Sequence, residues 1–401
     1  MGFWRANAPW LGAGALMALG SSFGQTFFIS VFAAGIMGDF DLTPGTWGAI
    51  YASGTTASTV VMLWAGGLAD RFRTRVLLGW TLVGLATACL MMAVNTLWIL
   101  LPVTVFLLRL FGQGMMTHLS RVSISRWFQA RRGRALALST LGFAVGEAML
   151  PVAAVAAMTV LGWRDLWFMA AIACLAMIPV FRRLLRHERT PQGHAEDLQT
   201  TGLGGRDWRR AEVLRAPVLW LLVPSIMLPG AFATAFFFHQ VQLAEDLGLS
   251  HLSFVALFPL YTALSVACTL ASGWAIDRFG SLTLMPVYQL ALAGCFTALA
   301  SMDGTAAAMT ALVLLGISTG ANNTVPTTFL AEMFGTRFLG AIKAMAMALM
   351  VLGSALGPLV TGLAMDAGWT LEAQAGIIAA IVVAGCGATA TSIYFARRRY
   401  T

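Results

Sequence analysis

Apolar residues run along this chain in blocks of roughly twenty, the length that crosses a bilayer's hydrocarbon core. Short polar intervals, many of them basic, separate the blocks. Within each block the apolar character is continuous rather than alternating, which predicts helices and not the strands of a barrel. A bilayer admits only those two forms, because every spanning N–H and C=O must pair internally. The pattern places spans at 10–37, 45–69, 76–95, 98–120, 134–158, 164–185, 217–243, 252–275, 282–301, 305–331, 341–364 and 372–396. An even number of spans puts both termini on one side. The opening MGFWRANAPW runs into the first block without a cleavage-type site and reads as a retained helix.

Composition supports this pattern. Hydrophobic residues make up 58% of the 401 positions and charged residues 10%, whereas soluble domains carry about 25% charge. The formal charge of +8 raises the question of a nucleic-acid partner, and its distribution answers it. With the N-terminus in the cytoplasm, 23 of the 25 basic residues lie on the cytoplasmic side. The exceptions are Arg109, inside a span, and Arg164, on the far side. Lysine and arginine concentrate in cytoplasmic loops, so the charge faces an anionic membrane leaflet and no nucleic acid is implied. The expectation is a multi-pass inner (plasma) membrane protein, a monomer, with both termini cytoplasmic. The five cysteines (Cys89, Cys174, Cys268, Cys295, Cys386) all fall inside apolar spans without metal-type spacing. No cofactor or metal is implied, and no nucleophile–base constellation points to an enzyme.

One long polar interruption, residues 187–216, divides the blocks six and six. It reads as a cytoplasmic linker between bundles at 1–186 and 217–401, with a short surface helix near Trp208–Leu214. The two halves repeat. GGLADRFRTR at 66–75 matches SGWAIDRFG at 272–280, with Asp70 lying 207 residues before Asp277. The same offset pairs Gly133 with Gly340, Gly146 with Gly353 and Pro151 with Pro358. The fold class is therefore all-α, twelve transmembrane helices in two pseudo-symmetric six-helix bundles. In such repeat architectures substrate binds near the midplane between the halves.

The small-x-x-x-Asp-Arg signature after span two, repeated after span eight, resembles that of the major facilitator superfamily, and the resemblance covers the whole chain. The first copy has Gly66, Leu68, Asp70, Arg71 and Arg75, with Arg73 where a glycine is usual; the second has Gly273, Asp277, Arg278, Phe279 and Gly280. The resemblance implies transport by alternating access. It also implies a gating role for Asp70, Arg71, Arg75, Asp277 and Arg278, which would latch cytoplasmic helix ends together. The run RWFQARRGRALALSTLGFAVG, followed by Gly162-Trp163-Arg164, resembles the monocarboxylate transporters and oxalate:formate antiporters, as does EMFGTRFLGAI near span eleven. That branch carries small carboxylates, using a basic residue on span eight and, in the antiporters, a lysine within span eleven. Here span eight is uncharged and Met350 occupies the aligned position on span eleven.

Two ionisable residues lie near mid-membrane. Arg109 sits ~17 Å into span four and Glu147 ~20 Å into span five, at 1.5 Å per helical residue. Such residues mark substrate or proton pathways by default. Shifted by 207 positions they fall on Gly316 and Ser354, so the shared scaffold does not demand charge there. The expectation is that Arg109 meets a substrate carboxylate through its forked guanidinium, or pairs with Glu147. Glu147 would then carry a coupling proton as that pairing changes. Gln25, Tyr51, Tyr261, Gln289, Asn322 and Asn323 are candidate cavity-lining residues, with interhelical hydrogen bonding as the competing role. His118 and His239, near span ends, read as packing residues. The function expected is proton-coupled transport (symport) of a small, monocarboxylate-like organic anion. The alternative is an exporter of amphipathic drugs or metabolites in which Arg109 and Glu147 form a structural pair.

Overall fold

The structure, a computed structural model, describes residues 3–128, 132–186, 202, 205, 207–335 and 337–400. Side chains at 3–6, 70, 132, 133, 210, 341, 399 and 400 lie outside that description, although their backbone is helical. Each expected span is mainly helical, with non-helical breaks inside several, among them Gln25, Met285–Gln289 and Asn323–Thr324. Among the described residues, nine helices are long and apolar enough to cross a membrane. A tenth crossing is the first span, bent by 49° between Asn7–Gly24 and Thr26–Phe40. The remaining two expected positions are Pro44–Ala65, diluted by glycine, serine and threonine, and the shorter apolar helix Leu290–Ser301.

The chain divides into two compact units, Met1–Glu196 and Asp197–Thr401. In the first, Phe3–Gly20 packs on Arg132–Ala157, Pro44–Ala65 on Leu101–Leu108, and Thr74–Val94 on Trp163–Leu184. In the second, Pro217–Phe238 packs on Leu339–Asp366, Phe258–Phe279 on Gly304–Asn322, and Leu290–Ser301 on Leu371–Tyr400. Counted within each unit, both sets pair helix one with five, two with four and three with six. The sequence repeat is thus a repeat of helix packing.

Small residues make the closest of these contacts. A Cβ on Gly142 would overlap the Ala15 carbonyl, and one on Gly357 would overlap the Ala231 carbonyl. Lipid offers apolar side chains no less apolar company than a neighbouring helix does, so helices associate through such close approach.

One contact at the edge of each unit bears on its rigidity. Away from the basic loops, Arg164 donates to Asp39 at 3.0 Å and to the carbonyls of Ala93 and Asn95 at 3.2 and 2.5 Å. That one side chain ties together the ends of spans one, three and six. In the second unit, the short helix expected near Trp208–Leu214 forms at Arg210–Arg215, with Ala211, Leu214 and Arg215 exposed and one side turned inward. Trp208 and Val213 are buried in the same core as Phe334, and the Trp208 N–H donates to the Phe334 carbonyl at 3.0 Å. The polar interruption therefore ends by packing Trp208, Val213 and Ala216 into the second unit.

Replacing Gly142 or Gly357 with leucine should destabilise the protein by about 1–3 kcal/mol through overpacking. A thermal melt in detergent checks this. Gly387→Leu, at a position where a Cβ meets nothing within 4 Å, serves as the neutral control.

Candidate functional site

The first span is broken where the sequence reads GSSFGQT. Its helix gives way to a 3-10 turn at Ser21–Gly24, then to extended backbone at Gln25 (φ −86°, ψ 152°), then to a helical turn at Thr26–Ile29. Serine and glycine invite this. Glycine gains little from a helix, and serine hydroxyls compete for backbone partners. Here the Ser21 hydroxyl donates to the Ala18 carbonyl at 2.6 Å and the Ser30 hydroxyl to the Thr26 carbonyl at 2.6 Å.

Span four faces this break with an irregularity of its own. Between the α-helical segments Leu101–Leu108 and Thr117–Trp127, residues Arg109–Met116 form a π-helix. Wide turns of this kind are rare and recur at functional sites. The two irregular segments touch backbone to backbone: a Cβ on Gly112 would lie 2.5 Å from the Gly24 Cα, and one on Gly24 would overlap the Leu108 carbonyl.

Arg109, 1% exposed, opens the π-helix and reaches across this crossing. Its Nη1 donates to the Gly24 carbonyl at 3.3 Å and to Thr26 Oγ1 at 3.2 Å. Its guanidinium carbon stands 5.3 Å from the centre of the Tyr51 ring. The Tyr51 hydroxyl in turn meets Thr26 Oγ1 at 2.5 Å. Carbonyl, hydroxyl and ring are all neutral, so they orient the cation without cancelling its charge. Among the described residues, Arg109 Nε and Ser22 Oγ are buried without a hydrogen-bond partner. Unsatisfied polar atoms that deep are costly, and each calls for a partner such as water or a ligand.

Span five reaches the same place. A Cβ on Gly146 would overlap the Ser22 side chain, and Glu147, 8% exposed, is the next residue. Gln25, also 8% exposed, sits in the break, where its backbone N–H donates to the Ser22 carbonyl at 3.0 Å and its side chain makes no cap hydrogen bond. Arg109 and Tyr51 thus meet at one interruption of the first span, which contains Gln25, and Glu147 follows the glycine that packs on it. Sequence reasoning overlooked Ser22, Gly24 and Thr26, although Gly-Ser-Ser inside an apolar block was a signal for a break.

The sequence pattern of the Major Facilitator Superfamily matches residues 14–358 and, in a second overlapping match, 243–400. The chain belongs to the major facilitator superfamily. It is accordingly a membrane transporter and not an enzyme. Among the solved structures that resemble this chain are two of a bacterial homolog to the human lysosomal transporter Spinster, both in inward-facing conformations. The unoccupied form has a TM-score of 0.70 at 16% identity and the occupied form 0.69 at 15%. Each comparison covers 100% of this chain and 97% of the other. No curated protein matches the sequence at a significant level.

Elsewhere in this superfamily member the candidate residues are dispersed. In the second unit the Gln289 amide donates to the Ser225 carbonyl at 2.5 Å and to the Tyr288 hydroxyl at 3.0 Å. Tyr288 donates to the Ser225 carbonyl at 2.6 Å and to Asn322 Oδ1 at 3.3 Å, while Ser225 and Thr389 bond through their hydroxyls. Gln289 and Asn322 therefore belong to one buried knot that joins four helices. Tyr261 stands apart, donating to Thr319 Oγ1 at 3.3 Å and meeting the Phe237 ring edge-on. Asn323 is exposed and donates to Thr269 Oγ1 at 3.2 Å. His239 is a buried packing residue, bonded to Thr361 at 3.0 Å and to the Pro358 carbonyl at 3.2 Å.

The signature loop of the first unit is held by span four. Arg126 donates to the Ala69 carbonyl at 2.7 Å, His118 Nε2 bonds the Gly66 carbonyl at 3.0 Å, and Thr74 meets Ser123 at 3.1 Å. Asp70 lies in the helical turn Leu68–Arg71, its side chain outside the described residues; Arg71 and Arg75 are exposed. In the second copy Asp277 and Arg278 are exposed, and the Arg278 guanidinium lies 5.8 Å from the Phe279 ring centre. There the following turn is held instead by Ser281, which donates to Glu332 at 2.6 Å.

Arg126→Ala should loosen the 66–75 loop. A charged hydrogen bond of about 1.5–3 kcal/mol corresponds to roughly ten- to hundredfold faster amide exchange there, read by hydrogen–deuterium exchange.

Proposed function

We propose that this transporter moves a small organic anion, monocarboxylate-like in size and charge, by alternating access coupled to protons. The observation that carries the reading is Arg109 at the broken first span: a buried cation oriented by neutral groups, with one nitrogen unsatisfied. An anion can take up that unused capacity through the forked geometry of the guanidinium. Tyr51, Thr26 and Gln25 would frame its carboxylate, and Glu147 beside the break would exchange the coupling proton as the arginine changes partner. The second-unit candidates contribute differently. Tyr261 and Asn323 remain available to line a pathway, whereas Gln289 and Asn322 act mainly by holding helices together.

The signature loop would act as the gate, with Arg126 and His118 releasing their carbonyls as the basic side opens. Resemblance to the monocarboxylate and oxalate:formate branch supports the substrate class. The arginine distribution supports an orientation with the basic loops cytoplasmic; a monomer in an inner membrane is part of the same proposal.

Reconstituted into liposomes, the protein should take up labelled small carboxylates faster under an inward proton gradient. Arg109→Ala should raise KM by about ten- to hundredfold, the equivalent of one lost charged hydrogen bond, and Arg109→Lys should restore only part of it. Efflux of amphipathic drugs, unaffected by Arg109→Ala and without carboxylate uptake, would assign the chain to an exporter instead. Glu147→Gln should abolish gradient-driven uptake and spare carboxylate exchange. Uptake that still follows the gradient in that variant would remove Glu147 from the coupling step.

A further inference from the structure

The first unit carries a second concave feature, separate from the break in its first span. Where the start of Thr74–Val94 packs against the end of Trp163–Leu184, a groove of about 620 Å³ opens at the basic side. Its polar rim is four arginines, Arg73, Arg75, Arg182 and Arg186, all exposed. Its wall is apolar and continues along the outside of the helix: Val76 and Val83 line it, and Trp80 is 71% exposed. Gly79 leaves the floor open, since a Cβ there would meet nothing within 4 Å. Four arginines line this one groove, two at the start of Thr74–Val94 and two at the end of Trp163–Leu184. Topology alone asks for basic residues on this side, not for their convergence on one groove.

We propose that this groove binds the headgroup of an anionic phospholipid of the basic-side leaflet, with one acyl chain along Trp80 and Val83. The chemistry matches at both ends. Guanidinium forks suit phosphate oxygens, and basic pockets between membrane helices hold anionic headgroups. The exposed tryptophan and valines need an apolar cover, which an acyl chain supplies and a free phosphate does not. A zwitterionic headgroup brings its own cation to four arginines and is disfavoured. The volume falls within the range of small-ligand sites, about 300–1,000 Å³. Arg73, which departs from the signature's usual glycine, gains a reason for being there. The lipid would bridge spans three and six, which are the packed pair of this unit.

The test uses the full-length protein, delipidated in detergent and studied by native mass spectrometry. Phosphatidylglycerol and phosphatidylethanolamine of identical chains are titrated separately, and inorganic phosphate is tried as a competitor. Phosphatidylglycerol should be retained at least about tenfold better, and each arginine removed should cost about fivefold. Arg182→Gln with Arg186→Gln should therefore lose most of the preference, while the paired lysine substitutions keep much of it. Gly79→Leu fills the groove, suits a helix and leaves every charge in place; it should reduce retention as well. Equal retention of the two lipids by the native protein would overturn the proposal, as would undiminished binding to the Gly79→Leu variant. Displacement by millimolar phosphate would reassign the groove to soluble anions. If the glutamine pair fails to fold, the native comparison and Gly79→Leu still decide.

Discussion

A helix interrupted inside a bilayer releases backbone groups that no water reaches, and something must take them up. In this transporter the Gly24 carbonyl is released and the Arg109 guanidinium takes it. The contact solves two difficulties together. An unpaired carbonyl and an isolated cation are each unfavourable in low dielectric; joined, each gives the other a partner. The π-helix is what allows it, since its wider turn coincides with the glycine that lets the broken strand of backbone approach. Tyr51 and Thr26 then complete the setting from neighbouring elements. Removing the arginine would orphan the carbonyl, and straightening the helix would orphan the arginine.

The two units share their helix pairing and differ in their chemistry. Where the first has Arg109, the second has Gly316, packed against the Tyr261 carbonyl with room for no side chain. Where the first has Glu147, the second has Ser354, whose hydroxyl donates to its own helix at Val351. The second unit spends its polar groups on one another, in the knot around Ser225 and Tyr288. Even the duplicated signature has drifted. One copy is held by an arginine and a histidine on backbone carbonyls, the other by a serine on a glutamate. A common scaffold has thus been kept for packing while the bonds that could respond to a ligand were redistributed.

Much of this was legible in the residues. Apolar blocks locate the spans because a bilayer imposes a minimum length, and the repeat is visible because glycines and prolines at helix contacts have no substitutes. Arg109 stood out since nothing near it in sequence explains a buried charge. What could not be read was its company. The π-helix is a change of hydrogen-bond register that leaves no mark in hydrophobic periodicity. For Gln289 and Asn322 the partners could not be read, because an isolated amide in a span carries no sign of which neighbouring helix it meets. Trp208 and Val213 were hidden for the opposite reason, as two apolar residues in a polar stretch too short to show a period.

The contact between Gly24 and Gly112 also bears on how this chain could acquire a different cargo. Neither position accepts a side chain while its counterpart stays in place, so neither can drift alone by single substitutions. The crossing therefore behaves as a fixed point in sequence space, inherited whole or lost whole. If the proposed site is right, novelty comes from residues that already carry side chains beside it, such as Gln25, Thr26 and Tyr51. Cargo preference in descendants of this sequence is expected to be rewritten at those three positions, around a junction that stays the same.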